Sequence, residues 1–179
     1  MIFKTFPADP DLYSQDMQKM VSETIERFGI DEWRAGVLTN ELHGHLGVYA
    51  ILGVKMGLFA LDTLGVEAGE VCITSLAGMR PPVSCLNDGL QVSTSATFGH
   101  GLITSENAED PRPEAFFRVK DKYIYVKIKE PVLEMIRNEI TRAVQQWGHA
   151  PEYWNYVRKL AIRYWAELNR NEIFEVKTL

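Results

Sequence analysis

Two histidines separated by one glycine, His43-Gly44-His45, and a lone cysteine just after a proline pair, Cys85 after Pro81-Pro82, are the residues of this chain best suited to hold an ion or attack a carbonyl. In an extended segment, residues two apart project to one side, so both histidines can reach one ion if Gly44 keeps the segment non-helical. In a helix they would diverge by about 200°. Cys85 falls in the first turns of a short helix expected from Val83 to about Val92, where unpaired amides and the helix dipole favour a thiolate. Asp88 and Gln91 follow at three-residue steps and suit partners that orient a metal-bound imidazole or a cofactor. His100, between Gly99 and Gly101, could close a four-ligand site or occupy an exposed turn. Each of these residues also has a plainer role: capping or core packing for the histidines, inert burial for the cysteine.

The elements that must position them can be read from periodicity. Apolar residues recur at three and four positions from Leu12 to Phe28, and Gly29 supplies a stop, which predicts an amphipathic helix. A second helix is expected over Asp31–Leu42, with 43–45 as a loop. Leu46–Leu64 is apolar nearly all round except for Lys55 and Asp62, seven apart on one edge, and reads as a central buried helix. Its Gly53 and Gly57, one turn apart, would admit the close approach of another element or a second copy of the chain. Val71–Ala77 reads as a strand, with Cys72 in the core. The runs 102–105, 115–120 and 123–129 suggest an antiparallel meander, and two helices follow over Pro131–Trp147 and Pro151–Leu168. The second carries an aromatic stripe that includes Tyr153, Trp154 and Trp165 and is read mainly as packing. His149, after Gly148, is given only a helix-end role. The expected fold is α+β: an antiparallel sheet packed with a central buried helix and flanking helices, in one domain over residues 1–179.

A length of 179 residues with 46% apolar content supports a single core. A net charge of −5, from 24 acidic and 19 basic residues, offers no general attraction to phosphate backbones or anionic lipid, so nucleic acid and membrane are poor partners. The N-terminal MIFKTFPADPDLYSQD lacks the pattern of a signal peptide, and the expected location is cytoplasmic. Two cysteines, Cys72 and Cys85, are too few for a disulfide scaffold and wrongly spaced for a zinc ribbon.

Over roughly residues 38–129 the chain resembles the FmdE-like proteins, a family named for a component of formylmethanofuran dehydrogenase. The family's His-Gly-His-x-Cys-Pro-Gly run, leading into a helix rich in small residues, corresponds to His43-Gly44-His45-Leu46-Gly47-Val48-Tyr49 and ILGVKMGLFALDTLG. Its Cys-x-x-Asp-(Ala/Gly)-x-Gln run and following turn match Cys85, Asp88, Gly89, Gln91, Thr94, Thr97, Gly99 and Gly101. The family's first-motif cysteine is Gly47 here, the proline after it is Val48, a second-motif cysteine is Ala96, and a lysine of the turn is His100. These departures shift the ligand chemistry from sulfur toward nitrogen. The resemblance implies an α+β core, here without the C-terminal zinc finger of some relatives, self-association as a homodimer, and a protein partner in molybdenum- or tungsten-dependent formylmethanofuran metabolism, which is methanogenesis-related.

Three functions compete. The leading one is a metal-binding accessory or redox-related protein with His43, His45 and Cys85 as ligands, His100 as a fourth, and Asp88 and Gln91 in support. Zinc is the first transition metal to consider, with nickel, copper and iron compatible, and an open position would admit a small-molecule ligand. The second is a metal-free enzyme with Cys85 as catalytic nucleophile and His43 or His45 as its base. The third is a dimeric structural or partner-binding module.

Overall fold

The computed structural model describes residues 2–106 and 109–179. Helix α1 spans Gln15–Phe28 and turns at Gly29 into α2, Ile30–His43. A short link leads to α3, Val48–Leu64, which is buried along nearly its whole length. Strand β1, Cys72–Ser75, is followed by a 3-10 turn over Val83–Cys85 that runs directly into α4, Leu86–Thr94. Then come β2 (Ile103–Ser105), β3 (Glu114–Val119) and β4 (Lys122–Ile128), the long helices α5 (Glu130–Trp147) and α6 (Pro151–Glu167), the single turn α7 (Arg170–Ile173) and β5 (Phe174–Thr178).

The five strands form one mixed sheet in the order β2-β1-β3-β4-β5, and the fold class is the α+β expected. The β3–β4 hairpin pairs as the sequence pattern predicts, with Phe117 opposite Ile124. The meander fails at β2, which lies beyond β1 and parallel to it, with Ile73 opposite Ile103. The reason is α4: a parallel pair needs a crossover, and α4 supplies it between β1 and β2. One face of the sheet, with Ile73, Phe117, Ile124 and Val126, is buried toward the helices, while Cys72, Thr74, Phe116 and Arg118 project to the other. Cys72 is therefore half-buried on the outer face opposite Arg118, not in the core.

The glycines of α3 meet α4 of the same chain. A Cβ at Gly53 would overlap the Leu86 carbonyl oxygen, one at Gly57 the Ser93 hydroxyl, and one at Gly89 of α4 the Ala50 carbonyl oxygen. The small-residue seam thus holds two helices of one core together and leaves no free glycine face for a second copy of the chain.

Lys55, on the inner side of α3, is fully buried. Its Nζ donates to Glu32 Oε1 of α2 at 2.5 Å and lies 4.0 Å from the centre of the Phe28 ring. Arg170 of α7 donates to the other Glu32 oxygen at 2.9 Å, to the Phe28 carbonyl oxygen and to Asp62. The two charges that interrupt α3 are therefore tied to one arginine, Asp62 directly and Lys55 through Glu32. Among the described residues no helix is long and apolar enough to cross a membrane.

Candidate functional site

The His43-Gly44-His45 segment is a helix end. Helix α2 continues through His43, one residue beyond its expected limit, and stops because Gly44 takes a left-handed conformation (φ 80°) that favours glycine. Its N–H donates back to the Asn40 carbonyl oxygen at 2.9 Å, while Asn40 Oδ1 accepts from the Gly47 N–H at 3.0 Å. Asn40 thus staples the link between α2 and α3, a role that sequence reasoning missed. The chain reversal at Gly44 does bring the histidines together, with ring centroids 4.2 Å apart and planes tilted by 40°.

His43 is anchored from the other side by α4. Its Nδ1 lies 2.7 Å from Asp88 Oδ2. Its other ring nitrogen, Nε2, is buried and has no hydrogen-bond partner among the described residues. The Asp88 carboxylate and then Cys85 raise the His43 pKa to about 10, against a desolvation effect of opposite sign. Cys85 caps the N-terminus of α4, at the end of the 3-10 turn, and is half-buried. His43 is thus joined to Asp88, with Cys85 close enough to act on its charge. Desolvation and the neighbouring His43 charge lower the His45 pKa.

The remaining expected residues stand apart. Gln91 Oε1 accepts from the Phe98 N–H at 3.1 Å and fastens the turn after α4. His100 sits exposed in that turn, its N–H capped by Thr97, and no hydrogen bond or ring contact joins it to the pair among the described residues. His149 is exposed beyond α5 and packs edge-on to Tyr153. The aromatic stripe of α6 divides: Tyr153, Tyr164 and Trp165 are buried, while Trp154 stays 50% exposed and meets His45 edge-on at 5.6 Å. Trp154 is thus a wall of the site.

Among the described residues no three His, Cys, Asp or Glu side chains converge in an arrangement that could hold a metal ion. The donor set nevertheless fits a metal in part. A histidine whose Nδ1 is held by a carboxylate and whose Nε2 is buried without a partner has the orientation that metal-ligating histidines adopt. Cys85 adds a sulfur near the same ring. Gly47 borders the same spot, because a Cβ there would lie 3.2 Å from His43 Nε2.

A family model described as "FmdE, Molybdenum formylmethanofuran dehydrogenase operon" matches residues 42–175, well over half of the chain. The chain belongs to the FmdE family. This FmdE-family protein is also 25% identical over 124 residues to a "Probable S-adenosyl-L-methionine-binding protein" of Archaeoglobus fulgidus. That alignment covers 68% of this chain and 28% of the relative, so the chain spans little more than a quarter of the relative's length. Among solved structures, a tungsten formylmethanofuran dehydrogenase FmdE-like protein from Syntrophus aciditrophicus aligns with a TM-score of 0.46 and 15% identity, covering 97% of this chain and 77% of that one. The FmdE match extends past the 38–129 core suggested by the motifs and takes in α5 and α6, the helix that carries Trp154.

Proposed function

We propose that this FmdE-family protein is a metal-binding accessory of a molybdenum- or tungsten-dependent enzyme system. His43 Nε2 and Cys85 Sγ are its first two donors, His45 the nearest third, and Asp88 the group that fixes the His43 ring. The observation that carries this reading is the tethered imidazole with its second nitrogen buried and unpartnered beside a cysteine. Zinc suits one thiolate and imidazole best, with nickel, copper or iron compatible. Such an ion would supply Lewis acidity toward a small ligand in an open coordination position. Family membership supports the enzyme-system assignment. Self-association as a homodimer and a cytoplasmic location belong to the same proposal, although the glycine seam is not available to the dimer.

Elemental analysis of the purified protein beside its His43→Ala and Cys85→Ser variants tests the metal reading. About one ion per chain in the parent and a sharp loss in both variants is the expected result. A parent that stays metal-free after reconstitution with zinc, nickel, copper and iron overturns it.

One arrangement favours a second reading. Asp88, His43 and Cys85 follow the order orienting carboxylate, base, thiol, which is the logic of an activated cysteine nucleophile. In that case metal-free protein would be alkylated at Cys85 at a rate that falls in Asp88→Asn and His43→Ala alike.

A further inference from the structure

A cleft of about 280 Å³, which shares no residue with the His43 centre, lies on the outer face of the sheet. Register fixes which side chains meet there. Arg118 of β3 stands opposite Cys72 of β1 and Tyr123 of β4. Two residues along, Phe116 stands opposite Thr74, with Thr104 of β2 beside it. Directly opposed residues, and residues two apart along a strand, project to one face. These six side chains therefore line one floor across four adjacent strands. The floor is open to a ligand: Cys72, Thr74 and Phe116 are half-buried, and Thr104, Arg118 and Tyr123 are exposed.

The charges of this face divide unevenly. Beyond Phe116, Glu114 accepts from the Tyr125 hydroxyl at 2.6 Å and pairs with Arg112 at 3.4 Å, and Lys127 pairs with Glu175 at 3.1 Å. Those charges are neutralised within the fold. Arg118 has no carboxylate within pairing distance among the described residues, and the lining of the cleft contains none. The groups that act on its charge are the Tyr123 phenol and then the Cys72 thiol, which accept from the guanidinium and raise its pKa. They orient the cation and supply no carboxylate to it.

A cation without a counter-charge at one end of a strip of aromatic and hydroxyl side chains matches a ligand divided in the same way. The planar guanidinium takes a carboxylate through two parallel hydrogen bonds. The Phe116 and Tyr123 rings, on either side of the β3–β4 ladder, pack best against another planar ring or conjugated chain, stacked or edge-on. We propose that this cleft binds a small carboxylate with a flat apolar body, of the class of aromatic and conjugated unsaturated carboxylic acids. The site stands on the outer sheet face alone and does not require a metal at the His43 centre.

Isothermal titration of the full chain, chelator-treated, tests it. The probes are benzoate and cinnamate, each beside its amide (no charge), with acetate as the carboxylate that lacks a flat body. The expected result is binding of at least one aromatic acid and binding at least about tenfold weaker for its amide and for acetate, equivalent to about 1.4 kcal/mol each. Cys72 reports the place: the bound acid should slow its alkylation by iodoacetamide, read by peptide mass spectrometry, while Cys85 keeps its rate. Arg118→Gln, an exposed change, should weaken binding about tenfold, and Arg118→Lys, which keeps the charge and loses the fork, should weaken it less. No heat with either acid at about 10 mM, where even a millimolar site is near saturation, overturns the proposal. Affinity unchanged in Arg118→Gln, or Cys72 left unprotected, overturns it as well. Acetate binding as tightly as the aromatic acids also overturns it and leaves an adventitious ion only.

Discussion

Two clusters of ionisable side chains flank α2, and they have been built to opposite ends. Near its start, Glu32 accepts from both Lys55 and Arg170, and the Lys55 and Glu32 side chains are fully shielded from water. At its end, His43 is joined to Asp88, which remains partly exposed, and keeps one buried nitrogen unpartnered. Their electrostatics differ in the same sense. At Lys55 desolvation is the largest effect and lowers the pKa, whereas at His43 the Asp88 hydrogen bond is the largest and raises it. The first cluster commits its carboxylate to holding helices together. The second uses its carboxylate to orient a ring and leaves an atom available, which is what separates a site from a brace.

The brace should give the largest effect. Glu32→Ala strands the Lys55 ammonium in the core and should cost about 3–5 kcal/mol by urea unfolding. Adding Lys55→Met should recover much of that loss, because the stranded charge is then gone. A Glu32→Ala cost below about 1 kcal/mol would erase the distinction between the clusters. Next comes the seam that places Cys85 and Asp88: Gly89→Ala should destabilise by about 1–3 kcal/mol and reduce metal content with it, since its Cβ would overlap backbone.

At the open cluster the signature reverses. Asp88→Asn should lower metal affinity about 10–100-fold in a chelator competition, as loss of an orienting partner does elsewhere. Its effect on unfolding should be about 1.5–3 kcal/mol, that of a single charge-assisted hydrogen bond and below that of Glu32→Ala. A loss of stability as large as that of Glu32→Ala would make Asp88 a second brace. The smallest effect calibrates both. Arg158 holds the exposed Asp16 at a pKa of about 2, below its ordinary 3.8. A depressed carboxylate contributes stability above the ordinary value and loses it as pH falls through the depressed one. Asp16→Asn should therefore cost no more than about 1 kcal/mol at neutral pH, and the difference from the parent should vanish as pH falls from about 4 to about 2.

The closeness of His43 and Asp88 was more legible in the sequence than the place of β2, while His100 and Gln91 fell outside the site. His43, Cys85 and Asp88 could be assigned to one place because two motifs in order constrain residues about forty apart, and the geometry joins them. The end of α2 was less legible, since Gly44 acts through a left-handed cap and not as a break before the histidines. Lys55 looked like an edge residue because its partner Glu32 lies 23 residues away, and no local pattern announces a buried pair. The place of β2 depended on α4 acting as a crossover, which a three-residue strand cannot signal. Strand β5 was readable in principle, since Phe174 and Val176 alternate with Glu175 and Lys177. The wall residue Trp154 was hidden within a stripe whose other members are mostly core.

The position of β5 bears on how the molecule is made. Residues 174–178 pair with β4, and Arg170 just before them neutralises Glu32, so this late segment completes both the sheet and the buried ionic cluster. Without residues 170–178, β4 has a bare edge and Glu32 faces Lys55 alone. Pairing of residues 174–178 then covers the edge of β4 and makes β5 the outer strand, whose exposed Glu175 and Lys177 are the kind of charges that discourage further edge-to-edge pairing.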